Sequence, residues 1–262
     1  MNTHILARCV IAAGLCFPVM AHAQDQVLRV CFGDNDAPRA DKASGKGFDM
    51  DVMAAVAARI GRTLEPVWIE QEPKMTEVEK SDLPLPDLIE GRCDAVASIP
   101  GADALGGTGG KVTLSKPYYG VGFEFVSKPG GPADLSQMQG KTIAIQFVTV
   151  GHRAMRALGL KWTGSDTPEG QLAALDAGEA DAALVWGPSL GPLKRAPQPE
   201  TTPMQALRWN MHVATRTSDT ELTSSIEQAL AGMLASGEII NMLKTHGIPA
   251  RAPFDSVFNQ LA

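Results

Sequence analysis

Gly187-Pro188-Ser189-Leu190-Gly191 has the G-x-S-x-G spacing that lifts a serine nucleophile onto a sharp turn, and it follows an apolar run, residues 181–186, as such an elbow would. Acyl transfer also needs an acid and a histidine within hydrogen-bonding reach of that serine. Asp219 and His246 are available later in the chain, but they fall beside or within terminal helical patterns, and no HGG-type oxyanion element lies upstream. Gly106-Gly107-Thr108-Gly109-Gly110-Lys111 has the composition of a phosphate loop, yet Leu105 and Val112 stand where that motif requires Gly and Ser or Thr. Asp34, Asp36 and Asp41 lack the regular spacing and closing bidentate acid of a calcium loop. His152, His212 and His246 show no paired zinc-ligand spacing. Catalytic chemistry is therefore thinly encoded, and no motif implies a bound cofactor.

Composition narrows the class. The formal net charge is −6, which argues against a nucleic-acid partner, where a basic face is expected. Arg8, an apolar stretch over residues 10–20 and Ala21-His22-Ala23 read as a secretory signal cleaved before Gln24. The apolar stretch is shorter than the roughly 20 residues a bilayer span requires, so no stable membrane insertion is expected. The expected location is the periplasm. Cys9 and Cys16 leave with the signal, and Cys31 and Cys93 remain in a compartment where disulfides persist. A bridge between them and a pair of small buried thiols are both open, because a bridge needs Cα atoms within about 7 Å.

The elements that must position any site alternate between strand and helix. Residues 27–32 read as a strand, Phe48 to Ile60 as a helix with apolar residues four apart, residues 67–69 as a strand, and residues 94–99 as another. Asp49 and Asp51 sit in the first turn of that helix, where negative charge suits the dipole. Residues 121–126 form a further strand running to Pro129-Gly130-Gly131-Pro132, after which a second α/β series begins with strands at 141–146 and 181–186. Residues 211–215 read as a return strand, and helices over 221–235 and 238–245 follow. The expected fold is α/β with two lobes, each a mainly parallel sheet flanked by helices. Lobe 1 takes residues 27–120 and 210–262, and lobe 2 residues 121–209. Open α/β sheets bind ligands outside the carboxyl ends of their strands. That rule nominates Asp34, Asn35, Ser98, Pro100, Tyr118, Tyr119, Gln146, Phe147, Thr149, Trp186 and Gly187 as crevice residues for a ligand or a partner.

Gly47-Phe48-Asp49-Met50-Asp51, Gly91-Arg92-Cys93-Asp94-Ala95 and Ser115-Lys116-Pro117-Tyr118-Tyr119 occur in that order. They resemble the G-F-D-x-D, G-x-x-D-A and S-x-P-Y-Y segments of family-3 periplasmic solute-binding proteins, many of them amino-acid receptors of ABC importers. That resemblance implies a non-enzymatic, two-lobed binder, with an ABC permease as partner and a small molecule as ligand. In such receptors an arginine after the third strand forks onto the α-carboxylate and an aspartate ends the later strand. Here residues 100–110 contain no arginine, and Trp186 stands at the strand end. An importer receptor of this sequence is therefore expected to take a small uncharged or aromatic solute rather than an amino acid. Arg29-Val30-Cys31, Arg92-Cys93-Asp94, Lys116-Pro117-Tyr118-Tyr119 and Val185-Trp186-Gly187-Pro188 are similar to the quinoprotein-dehydrogenase-associated branch, which includes the MoxJ and XoxJ proteins of methanol oxidation. The narrower resemblance implies an accessory of a PQQ-dependent alcohol dehydrogenase. Gly120 departs from that branch, which often has Arg there.

Overall fold

The computed structural model describes residues 26–70, 83–198 and 204–255. The expected signal segment, most of the acidic connection over 70–86 and the end of the proline-rich stretch lie outside the described residues. Strand β1 (Val27–Gly33) pairs in parallel with β4 (Thr63–Ile69) on one side and β5 (Ala95–Ile99) on the other. A short hairpin, β2 (Asn35–Asp36) and β3 (Ala40–Asp41), precedes helix α1 (Phe48–Arg59), and α2 (Leu85–Ile89) precedes β5. Strands β6 (Val112–Leu114) and β7 (Tyr119–Ser127) follow. The second series is β8 (Thr142–Gln146), α3 (Val150–Ala157), β9 (Lys161–Ser165), α4 (Pro168–Ala177) and β10 (Ala182–Trp186). The chain returns through β11 (Arg208–Arg216) and finishes with α5 (Thr220–Ala235) and α6 (Glu238–Thr245).

The main sheet runs β4-β1-β5-β11-β7-β10-β8-β9, with β6 beside β11. Pairing is parallel among β4, β1 and β5 and among β10, β8 and β9, but antiparallel wherever β7 or β11 takes part. Those two strands belong to both halves. Their register sets Tyr119 opposite Met211 and Gly122 opposite Arg208, and each then continues into a different half.

Period-two alternation explains why both faces of each half are covered. On β1, Leu28, Val30 and Phe32 enter a core with Phe48, Val52, Val56 and the terminal helices, while Cys31 turns to the opposite face with Leu88, Val96 and Ile99. On β10, Ala182 and Leu184 join Phe125, Ile143 and Met155, while Ala183 and Val185 join Leu172 and Leu175. Trp186 and Trp209 pack against cores of both halves.

Strand β9 is absent from the sequence reading. Its residues are mixed in polarity because an edge strand with one open side needs no continuous apolar run. Residues 33–38, rich in Gly, Asp, Asn and Pro, have turn composition, yet here they enter the hairpin before α1. That hairpin supplies the helix cap, since Gly47 has no side chain for the task. The carbonyls of Pro38 and Arg39 accept the N–H groups of Phe48 and Asp49, both at 2.9 Å. A Cβ at position 47 would lie 2.1 Å from the Arg39 oxygen, so only glycine permits this approach. Cys31 and Cys93 are joined as a disulfide, with Cα atoms 5.7 Å apart.

After α6 the chain crosses the shared strands. Gly120 N–H donates to the Arg251 carbonyl at 3.1 Å, and Asn210 exchanges two hydrogen bonds with the Phe254 backbone. Gly120 has a local reason here: a Cβ would stand 2.7 Å from the Ala252 oxygen. Arg251 forks onto Glu124, which is fully buried on β7, with contacts of 2.8 and 2.6 Å.

Candidate functional site

At the carboxyl end of β5 the chain fills the expected crevice position with its own polar side chains. Ser98 takes φ 57°, a left-handed conformation uncommon outside glycine and frequent where function holds a residue in place. Its hydroxyl donates to Asp49 Oδ1 at 2.8 Å and lies 3.0 and 2.8 Å from the hydroxyls of Tyr118 and Tyr119. Tyr118 also donates to Asp49 at 2.8 Å. Asp49 and Ser98 are 3% and 4% exposed, and both tyrosines are fully buried. The nominated Tyr118 and Tyr119 thus spend their hydroxyls on this network. Asp49 was read as a first-turn dipole acid, yet it is the group around which the network closes.

Arg39, from the hairpin, completes the cluster by pairing with Asp36 at 2.7 Å. Burial opposes its charge, but the negative charge of Asp36, joined by Asp49, outweighs burial and raises its pKa above the ordinary value. Burial acts first on Asp49 as well. It raises the carboxyl to about 6, although Arg39 and the hydrogen bonds from Ser98 and Tyr118 pull the other way. Because the unfolded pKa is lower, folding takes up a proton between about pH 4 and 6. The contribution is fully present below that window and lost as pH rises through it, about 3 kcal/mol in all. Asp49→Asn should flatten this part of the stability profile, measured by denaturant unfolding across the window; an unchanged slope would remove Asp49 as its source.

In the second half, Gln146 closes β8 with its amide donating to the Asp166 carbonyl at 3.0 Å. Thr149 is buried and caps α3, accepting from the His152 N–H at 3.1 Å. Val148, between them, is 60% exposed at φ 62° and was not nominated. Phe147 turns onto Gly164 of β9, where a Cβ would meet its ring at 2.1 Å. Trp186 is half-buried, edge-on to Phe123 at 5.5 Å and to Trp209 at 5.8 Å, where the two halves join. Gly187 is buried against the Gly122 carbonyl. Pro100 is partly exposed, Asn35 is exposed on the hairpin, and the Asp34 N–H donates to the Ile69 carbonyl. The nominated residues therefore divide: Ser98, Tyr118 and Tyr119 form one cluster, Trp186 and Gly187 lie at the junction, and Gln146, Phe147 and Thr149 lie around the start of α3.

The serine elbow gains no partners. His246 Nε2 sits 2.7 Å from Asp51 in the first half, and Asp219 pairs with Arg216 at 2.7 Å. Gly187–Leu190 forms a short 3₁₀ turn rather than a strand-to-helix elbow. The acids of the hairpin are also engaged locally, Asp36 with Arg39 and Asp41 with the Ser44 N–H.

Residues 28–247 match the family described as bacterial extracellular solute-binding proteins, family 3. This chain belongs to that family. The L-cystine solute receptor of Neisseria gonorrhoeae, in its unliganded open conformation, superposes with a TM-score of 0.67 at 19% identity, covering 87% of this chain and 96% of that one. The second substrate-binding domain of a putative amino-acid ABC transporter from Streptococcus pneumoniae gives 0.67 at 18% identity, covering 84% and 99%. Both likenesses establish the type II solute-binding fold. Protein MoxJ of Paracoccus denitrificans is 28% identical over 117 residues, 45% of this chain and 37% of that relative's length. Within this family-3 fold, the residues of the narrower resemblance have structural tasks. Arg29 forks onto Asp94 beside the Cys31–Cys93 bridge, and Arg216 reaches the same carboxylate at 3.2 Å. Burial alone would raise Asp94, but hydrogen bonds from Arg29 and Arg216 overcome it and lower its pKa.

Proposed function

We propose that this family-3 protein is a periplasmic, non-catalytic accessory of a PQQ-dependent alcohol dehydrogenase, exported with residues 1–23 removed. The proposed lobes are residues 27–120 with 210–262, and residues 121–209. The observation that carries the reading is the closed Asp49–Ser98–Tyr118–Tyr119 network. These motif residues satisfy one another, the nearby guanidinium of Arg39 is already engaged by Asp36, and residues 100–110 hold no arginine for a solute carboxylate. A buried solute carboxylate without a partner would cost several kcal/mol. The partial likeness to MoxJ supports the same reading.

Two measurements on the purified protein test it. The twenty common amino acids should give no thermal stabilisation, whereas a ligand at about 100 times its Kd adds about 2.7 kcal/mol. The PQQ-dependent dehydrogenase of the same organism should form a complex in sedimentation velocity, and Trp186→Ala should weaken it. Because Trp186 packs on the cores of both halves, the truncation also costs stability, so binding is compared where circular dichroism shows the variant folded. Amino-acid stabilisation with no complex would instead favour an ABC-importer receptor, in line with the amino-acid ABC transporter domain from Streptococcus pneumoniae above.

A further inference from the structure

The outer edge of the second half carries a surface of a different character from the rest of the chain. Residues 141–165 contain Lys141, Arg153, Arg156 and Lys161 and no carboxylate, in a chain of net charge −6. Arg153, Arg156 and Lys161 are exposed, and no ion pair engages them among the described residues. Among the described residues, the large exposed hydrophobic side chains fall in the same stretch: Val148, Leu158 and Trp162 at 60%, 49% and 36% exposure. Trp162 is edge-on to His152 at 4.8 Å, and both rings meet Phe147 at about 6 Å. His152 Nδ1 accepts the Val148 N–H at 3.3 Å, and its Nε2 is buried without a partner among the described residues. Burial first, then Arg156 and Arg153, lower the His152 pKa, so the ring is neutral and the cationic character belongs to the arginines.

Beside this surface the sheet ends. Among the described residues strand β9 pairs only with β8, so its outer N–H and C=O groups face away from the sheet. A groove of about 440 Å³ adjoins it, walled by Phe147, Gly164, Gly170, Ala173 and Ala177, with Asp166 and Glu179 also on its wall. An open edge with a groove of small residues on one side and an aromatic, cationic face on the other fits the recognition of an extended segment by strand addition.

We propose that β9 is a docking edge for an extended, acidic segment of a protein partner. The segment pairs with the β9 backbone, turns carboxylates toward Arg153 and Arg156, and turns small apolar side chains into the groove. Charge decides the occupant: a basic segment would meet the unpaired arginines. This site is separate from the crevice and does not rest on the dehydrogenase reading.

The test uses the full mature chain and a fluorescein-labelled peptide alternating glutamate and valine. Its controls are the lysine–valine counterpart and a version N-methylated along one edge. Anisotropy should show binding of the acidic peptide that weakens with salt. Binding should fall about tenfold or more in Arg153→Glu/Arg156→Glu and on N-methylation, with no binding of the basic peptide. Both arginines are exposed, so circular dichroism should match the parent chain. Absence of acidic-peptide binding overturns the proposal. So does binding indifferent to the arginine changes or to N-methylation. Binding of phosphatidylglycerol vesicles without peptide binding assigns the surface to lipid, and self-association in sedimentation velocity assigns it to a second copy; either result overturns it as well.

Discussion

Replacing Cys31 and Cys93 together by alanine should lower the unfolding free energy by about 4 kcal/mol. The bridge closes a loop with a sequence separation of 62, and loop-closure entropy for that length corresponds to about 4 kcal/mol at 25 °C. At this chain length the melting temperature should fall by about 8–16 °C. Both sulfurs lie in the buried face with Leu85, Leu88 and Ile99, so alanine removes little packing beyond the sulfur atoms and the effect falls mainly on the unfolded ensemble. Denaturant unfolding of the double variant, beside the parent chain under reducing conditions, measures it. The two losses should agree. A loss below about 1 kcal/mol would show that the bridge constrains the unfolded chain little and that strand pairing with the Arg29–Asp94–Arg216 contacts suffices to hold β1 to β5.

Arg251→Met should be comparably damaging, by about 3–5 kcal/mol, because it leaves Glu124 charged and fully buried without a partner. Burial already raises the Glu124 pKa despite the opposing hydrogen bonds and charge of Arg251. Without Arg251 that pKa rises further. The folded variant then holds a proton that the unfolded chain releases, so the deficit should be smallest in acid and grow toward neutral pH. Glu124→Gln combined with Arg251→Met should recover most of the loss, since a neutral pair carries no stranded charge. Unfolding of the single and double variants at two pH values checks both statements. If the double variant is no more stable than Arg251→Met, the loss comes from the backbone of the terminal segment rather than the charge. That segment also meets β7 through the Gly120–Arg251 hydrogen bond and β11 through Asn210, so its loosening should reach both shared strands.

Much of the fold was legible because the signals are local. The spacing of Phe48, Val52 and Val56 made α1 readable, and the continuous run Ala182–Trp186 made β10 readable, since a strand covered on both faces has no polar side to interrupt it. Strand β9 escaped because an open edge relaxes that requirement. Within the candidate site, Ser98 was found by the strand-end rule. Asp49 was not, because an acid in a helical first turn has a sufficient local explanation.

By itself, then, the sequence determined the α/β order, the family motifs and the absence of arginine over residues 100–110, all properties carried by neighbouring residues. Tertiary structure alone decided that Cys31 meets Cys93, that Asp49 meets Ser98 and both tyrosines, and that Arg251 neutralises Glu124. The Glu124–Arg251 pair joins residues 127 positions apart. Periodicity reports which face of an element is buried, whereas the partner of a buried charge depends on which distant segment the chain crossing brings within 3 Å.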